Sequence, residues 1–149
     1  MSGFRIVTEI AAPIDVCFDL SRSIDVHLDS MVASKERAVG GVTEGLIGAG
    51  EEVSWEARHF GIRWRMTSRI TAFDPPHLFV DEMVRGPFAL FRHEHHFLAR
   101  GRETRMTDIL DVRMGVGPIT PVANLIATAY LERLIRTRNA TIRRRAEAI

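Results

Sequence analysis

The amino-acid sequence predicts an α+β fold in which a curved antiparallel sheet packs around one long C-terminal helix. Strand-like alternation of apolar and polar residues dominates residues 53–114, with turn signals between the runs. From Pro118 to the end, the apolar period becomes that of a helix. A helix and an antiparallel sheet must each bury one face, and here they can do so only against each other.

The N-terminal segment predicts one strand followed by two short helices. Residues 4–10 alternate between apolar and polar side chains, which indicates a half-buried strand. Pro13 ends this pattern and suits the first residue of a helix that runs to about Leu20. A second short helical segment is expected over residues 23–30.

The middle of the chain predicts only strands, which brings the sheet to about six or seven strands. Turn residues near Gly61, Pro75, Gly86 and Gly101 separate them. The runs cover residues 53–58, 63–70, 78–84, 88–99 and 104–114. A turn near Gly61 places Trp55 opposite Met66 and Ala57 opposite Trp64.

The C-terminal helix is expected to span roughly 30 residues, with Pro121 tolerated in its first turn. Its apolar stripe comprises Val122, Leu125, Ile126, Ala129, Leu134, Ile135 and Ile142. The remaining face is rich in arginine, and we expect most of it to be solvated. These arginines are Arg133, Arg136, Arg138, Arg143, Arg144 and Arg145.

Composition narrows the function classes. The 149 residues, 46% hydrophobic and 26% charged, suit one folded domain spanning residues 1–149. A net charge of +1 predicts no nucleic-acid partner, and no run approaches the roughly 20 apolar residues of a membrane span. Cys17 is the only cysteine, which excludes an intramolecular disulfide and predicts a buried thiol. We expect a cytoplasmic protein without a cofactor, without a bound metal and without stable membrane insertion.

A small polar cluster is predicted on the inward face of the sheet. A turn at residues 101–102 aligns Phe97 with Met106, His95 with Asp108, and His93 with Leu110. The strand at residues 78–84 leaves two alternatives open. Its inward set is either Leu78, Val80 and Glu82, or Phe79, Asp81 and Met83. The side chains expected to line a ligand cavity are Trp55, Trp64, Met66, Phe91, His93, His95, Phe97, Asp108 and Leu110.

Three interpretations of His93, His95 and Asp108 remain open at this stage. They form a satisfied polar pair in the core, a polar anchor within an apolar ligand cavity, or a metal site of two histidines and one carboxylate. His95 oriented by Asp108 also has the composition of a general base. No nucleophile lies nearby in the pattern apart from Ser68, and the chain contains no glycine-rich phosphate loop and no His-Glu-x-x-His motif.

Several segments resemble the START-like superfamily, also called SRPBCC. They are Phe-Asp-Pro-Pro-His-Leu-Phe-Val-Asp at residues 73–81, Gly-Pro-Phe at 86–88, Phe-Arg-His-Glu-His-His-Phe at 91–97 and Thr-Asp at 107–108. The superfamily includes pollen allergens, polyketide cyclases and lipid-transfer domains, and the chain is closest to its uncharacterised bacterial members. The resemblance implies a helix-grip fold with a cavity for hydrophobic ligands under the long helix. It does not decide between binding and catalysis, because fold does not fix function.

The expected function is therefore the binding of a small lipid-, polyketide- or aromatic-like molecule between sheet and helix. The alternative is a cyclase or dehydratase that uses His95 with Asp108 as a proton shuttle. A third hypothesis is an interaction module that forms a homodimer.

Overall fold

The computed structural model describes residues 3–115, 117–118 and 120–149. The strands are β1 (Gly3–Ile10), β2 (Arg37–Gly41), β3 (Glu52–His59), β4 (Ile62–Asp74), β5 (Leu78–Arg85), β6 (Leu90–Arg100) and β7 (Glu103–Arg113). The helices are α1 (Ile14–Ser21), α2 (Ile24–Ser30) and α3 (Thr120–Glu147), with a 3₁₀ turn at Val32–Ser34. The seven strands form one curved antiparallel sheet in the order β1-β7-β6-β5-β4-β3-β2, which is the helix-grip arrangement.

The predicted order of elements is confirmed, with two differences near the N-terminus. Helix α1 begins at Ile14, so Pro13 is its N-cap rather than its first helical residue. Strand β2 is missing from the prediction because it is short and ends in two glycines. It pairs with β3 at the sheet edge, and Gly41 has a φ of +67°. A Cβ at Gly41 would lie 2.1 Å from the carbonyl oxygen of Glu52, so only glycine fits there.

The predicted register of both central hairpins is confirmed. Strands β3 and β4 pair Trp55 with Met66 and Ala57 with Trp64. Strands β6 and β7 pair Phe97 with Met106, His95 with Asp108, and His93 with Leu110. In β5 the inward set is Phe79, Asp81 and Met83, the second of the two alternatives. The ring of Phe79 stacks on His95, and the carboxylate of Asp81 contacts the same imidazole.

An aromatic cluster attaches α1 to the sheet. The ring of Phe18 lies 5.3–5.7 Å from the rings of Phe73, Phe79 and Phe97, and its side chain is 1% exposed. Cys17 beside it is fully buried, as predicted, and burial raises the pKa of its thiol. The aromatic cluster holds β5 and β6 at a fixed distance from α1. It lies directly beside the polar cluster of the inner face.

Helix α3 is 28 residues long, but its two halves are buried differently. In the C-terminal half, Ile135 and Ile142 belong to the core, as the stripe predicts. In the N-terminal half the predicted stripe is wrong, because Val122, Leu125, Ile126 and Ala129 are exposed. Residues 121–131 are small or apolar on almost every side, so periodicity does not identify the inward face. The structure turns Ala127, Tyr130 and Leu131 towards the sheet instead.

The prediction that the arginine side chains of α3 are solvated is confirmed for five of them and wrong for one. The exposed ones are Arg133, Arg136, Arg143, Arg144 and Arg145. Arg138, by contrast, is 3% exposed and points into the interior. Among the described residues, no helix combines the length and apolar character needed to cross a bilayer.

Phe18→Ala should lower the free energy of unfolding by about 3–5 kcal/mol, because the substitution opens a cavity among three aromatic rings. Phe60→Ala is the matched control, since Phe60 is 65% exposed, and we expect its effect to stay within about 0.5 kcal/mol. Urea denaturation followed by circular dichroism measures both. Equal losses in the two variants would contradict the assignment of Phe18 to the core.

Candidate functional site

Two adjoining chambers lie between the inner face of the sheet and α3. The inner chamber has a volume of about 110 Å³ and the outer chamber about 120 Å³. Glu36 and Trp55 line both chambers, so these two side chains mark the boundary between them. The inner chamber contains the polar side chains of β5, β6 and α3, whereas the outer chamber is mainly aromatic and apolar.

Asp108 on β7 anchors the polar cluster behind the inner chamber. Its side chain is fully buried, and its Oδ1 accepts a hydrogen bond from His93 Nε2 at 2.7 Å. Asn139 Nδ2 donates to Oδ2 at 2.8 Å, and Arg138 Nη1 lies 3.3 Å from Oδ1. Each carboxylate oxygen is therefore paired, which is the condition under which a buried charge is tolerated.

His95 has a different main partner from the one expected. Although His95 lies opposite Asp108 in the ladder, its Nε2 is 2.6 Å from Oδ2 of Asp81, and its Nδ1 is 3.5 Å from Asp108. Arg138 Nη2 lies 3.3 Å from Nδ1. Since a guanidinium can only donate, Nδ1 accepts, and the imidazole proton sits on Nε2 and is donated to Asp81. The ring is stacked between His93 and Phe79, with centroid distances of 3.7 and 4.0 Å.

Arg138 joins the cluster to the helices, and the sequence interpretation missed it. Beyond its contacts with Asp108 and His95, it donates to the carbonyl oxygen of Ser21 at 3.1 Å and to Asn139 Oδ1 at 2.9 Å. The signal that identifies it is positional: residues 138 and 139 stand three and four positions after the buried Ile135. They therefore share its inward helical face.

The electrostatics of the cluster follow from burial and pairing. Burial lowers the pKa of His95 to about 3, with His93 and Arg138 acting in the same direction and Asp81 opposing them. Burial alone would raise the pKa of Asp81 and of Asp108. Hydrogen bonds from His95 and His93, together with the charge of Arg138, outweigh burial and hold both pKa values below the usual carboxyl range. At neutral pH the cluster contains ionised carboxylates and a neutral His95.

Three of these groups have the spacing of a metal site. Asp81, His93 and His95 each offer a ligand atom, and these atoms lie within 4.8 Å of one another. A metal requires a free lone pair on each imidazole. In His95 the Nδ1 lone pair faces Arg138 and Nε2 carries the proton given to Asp81. The positive charge of Arg138 also disfavours a cation there. The hydrogen bonds thus favour a satisfied polar network.

The nine residues expected to line a cavity fall into three groups. Trp55, Trp64 and Met66 line the outer chamber, and Trp55 also borders the inner one. The inner chamber is bordered by Phe91, His93 and His95. The remaining three lie behind the chamber walls: Phe97 packs in the aromatic cluster, Leu110 packs with Phe91, and Asp108 is enclosed by its hydrogen-bond partners.

The walls of the two chambers contain two polar contacts that the sequence interpretation does not include. His27 Nε2 lies 2.5 Å from Oε1 of Glu36, and Nδ1 of His59 lies 2.7 Å from the hydroxyl of Tyr130. The second contact links the β3–β4 hairpin to the N-terminal half of α3. Neither contact could be predicted from the local sequence pattern. Each one joins side chains from two separate elements, and hydrophobic periodicity does not show how those elements pack against each other.

The comparisons with known proteins agree with this architecture. Residues 1–147 match the model of the family described as polyketide cyclase / dehydrase and lipid transport. This match, with the structural similarities below, confirms the START-like resemblance. A comparison with curated proteins finds no match.

Several solved structures share the fold. TTHA0849 from Thermus thermophilus superposes with a TM-score of 0.79 at 16% identity, over 98% of this chain and 97% of that one. Zhui aromatase/cyclase from Streptomyces sp. R1128 gives 0.75 at 17% identity, over 97% and 93% of the two chains. A START superfamily protein from Mycobacterium smegmatis gives 0.73 at 12% identity, over 95% and 97%. At these identities the similarity concerns the fold alone.

Asp108→Asn should lower the free energy of unfolding by about 3–5 kcal/mol, because it leaves the buried guanidinium of Arg138 without its counter-charge. Glu103→Gln is the control on the same strand, since the carboxylate of Glu103 is exposed to solvent. We expect that change to stay within about 0.5 kcal/mol. Chemical denaturation at pH 7 measures both, and a neutral effect of Asp108→Asn would refute the network.

The low pKa of His95 predicts a loss of stability in mild acid. The unfolded chain takes up a proton on His95 near pH 6.5, whereas the folded chain takes it up only near its pKa of about 3. The stability contributed by neutral His95 is therefore complete above pH 6.5 and is lost as the pH falls towards 3, by about 1.4 kcal/mol per pH unit. His59, whose pKa is also lowered by burial, acts in the same direction.

Urea denaturation between pH 4.5 and 7.5 measures this slope. His95→Gln should flatten it, because glutamine can still donate to Asp81 but does not titrate. The exposed His77 provides the control, and His77→Gln should leave the slope unchanged. A wild-type slope in His95→Gln would show that His95 is not buried in its neutral form.

Proposed function

The chain belongs to the polyketide cyclase / dehydrase and lipid transport family, and we propose that it binds a small apolar molecule in the two chambers under α3. The observation that carries the proposal is the contrast between the chambers. The outer chamber offers aromatic and aliphatic surface, and the inner chamber ends in a few fixed polar groups. Ligand sites are typically built this way, with apolar area for affinity and few polar groups for orientation.

The size of the chambers supports a compact ligand. Volumes of about 110 and 120 Å³ are small beside the roughly 300–1,000 Å³ of common ligand sites. Of the lipid-, polyketide- and aromatic-like classes, a single flat ring system fits this space better than a lipid with two acyl chains. A polar group at one end would face Asp81 and His95, and the other end of the molecule would lie against Trp55 and Trp64.

A second candidate function is a cyclase or dehydratase, favoured by the contact between His95 and Asp81 at the wall of the inner chamber. In this hypothesis His95 is the proton shuttle. Asp108 lies behind the chamber wall, where it is hydrogen-bonded to His93 and paired with Arg138, and it is only 3.5 Å from Nδ1 of His95. A histidine whose pKa lies near 3 is a weak base at neutral pH, so we rank binding first. A cytoplasmic location, a homodimer and the lack of a nucleic-acid partner stay predictions.

Ala127→Phe should weaken binding of an uncharged apolar fluorophore such as Nile red. Ala127 faces the outer chamber, and a phenyl ring there would occupy much of its volume. Ala129→Phe is the matched control, since Ala129 lies on the same helix but is exposed. We expect the dissociation constant to rise about tenfold or more for Ala127→Phe, from the lost apolar burial, and to stay unchanged for Ala129→Phe.

Fluorescence titration of the three proteins measures these constants. Failure of the wild-type protein to bind the dye, or equal effects of the two substitutions, would overturn the binding proposal. For the second candidate, His95→Ala should abolish turnover of a polyketide-like substrate while binding persists. Equal loss of turnover and binding would count against catalysis by His95.

A further inference from the structure

The outer chamber is lined by a group of aromatic side chains and by one carboxylate, that of Glu36. The aromatic residues are Trp55, Phe60, Trp64, Phe88 and Tyr130, which come from β3, the β3–β4 turn, β4, the loop before β6, and α3. Among the described residues that line this chamber, Glu36 is the only carboxylate, and neither lysine nor arginine takes part. The inner chamber differs, because it balances acidic groups against Arg22 and Arg138.

The carboxylate of Glu36 is held at the boundary of the two chambers. Its Oε1 is 2.5 Å from His27 Nε2, and the ring of His27 lies 4.3 Å from that of Trp55. The side chain of Glu36 is 10% exposed, so solvent screens its charge poorly. This charge acts on groups across the chamber. Burial raises the pKa of Tyr130, Arg133 opposes that rise and Glu36 adds to it; Glu36 also opposes the burial that lowers the pKa of His59.

The polar atoms of Trp64 and Tyr130 are already hydrogen-bonded within the protein. Trp64 Nε1 donates to the carbonyl oxygen of His59 at 3.0 Å, and the Tyr130 hydroxyl lies 2.7 Å from Nδ1 of His59. The ring of Phe60 packs against Tyr130 with centroids 4.7 Å apart. These side chains therefore offer the chamber mainly ring surfaces. Ring faces carry negative electrostatic potential and attract cations, most strongly for tryptophan.

We propose that the outer chamber is a binding site for an organic cation, a protonated amine or a quaternary ammonium group carried by the ligand. Trp55, Trp64 and Tyr130 supply ring faces, and Glu36 supplies the counter-charge. The same features disfavour an anionic group, because no lysine or arginine lines the described wall of this chamber. This inference rests on the proposed function, since it assigns a chemical class to one end of the molecule that the cavity binds.

A pair of ligands of equal shape and different charge tests the site. Choline and 3,3-dimethylbutan-1-ol differ in replacing the quaternary nitrogen by carbon. The chain has two tryptophans and both line the outer chamber, so intrinsic fluorescence reports binding directly. We expect choline to bind at least about tenfold more tightly than the alcohol, as for a cation desolvated against aromatic faces.

Two matched substitutions separate the charge of Glu36 from general electrostatics. Glu36→Gln should reduce the preference for choline, because the ring faces remain but the counter-charge is lost, while the affinity for the alcohol is kept. Glu56→Gln is the control, because Glu56 lies on the outer face of β3, where Arg37 and Arg63 pair with it. It should keep the preference. Trp64→Leu, as a second variant whose folding is checked by circular dichroism, should weaken choline binding more than alcohol binding.

The outcomes distinguish the two proposals. Equal binding of choline and the alcohol, or an unchanged preference in Glu36→Gln, overturns the cation site but leaves the apolar cavity in place. If neither ligand binds and Nile red is also excluded, the proposed function fails, and this inference fails with it.

Discussion

The buried ion pair between Arg138 and Asp108 is the constraint on which the rest of the structure depends. Two charges removed from water are tolerated only if nearly all their hydrogen-bonding capacity is used. The partners come from β6, α1 and α3 itself, namely His93, His95, Ser21 and Asn139. The C-terminal half of α3 is thereby fixed in rotation and position against α1 and the sheet.

This constraint explains why the interior divides as it does. Where the network holds α3, the core is packed and the cavity ends in fixed polar groups. Beyond the network, the N-terminal half of α3 contacts the sheet through a few side chains such as Tyr130, and the outer chamber lies beneath it. Apolar residues on the outer side of this half, among them Leu125, remain exposed because the sheet reaches only one side of the helix. The cavity is bounded by fixed polar groups at one end and by aromatic rings at the other.

The sequence was informative where structure depends on local pattern. Alternation and turn residues predicted six of the seven strands and the pairing of His95 with Asp108 in the ladder, because the side-chain period of a strand is strict. Register does not determine side-chain partners, however, and the hydrogen bond of His95 goes to Asp81 on the neighbouring strand. Arg138 was predicted to be solvated because arginine is rarely buried. Its position on the inward helical face was the better indicator of its burial. The chamber-lining Glu36 lies outside any periodic segment, and only the tertiary fold brings it to Trp55.

The protonation state of His95 is the most direct test of the buried network, since it depends on all of the network's contacts at once. Long-range ¹H–¹⁵N spectra of histidine-labelled protein report which ring nitrogen carries the proton. The network requires that His95 is neutral, with its proton on Nε2 and none on Nδ1, so this signal should stay unchanged from pH 8 down to about pH 5. A signal that titrates near pH 6.5, or a proton on Nδ1, would contradict the contacts with Arg138 and Asp81 that form the polar end of the cavity.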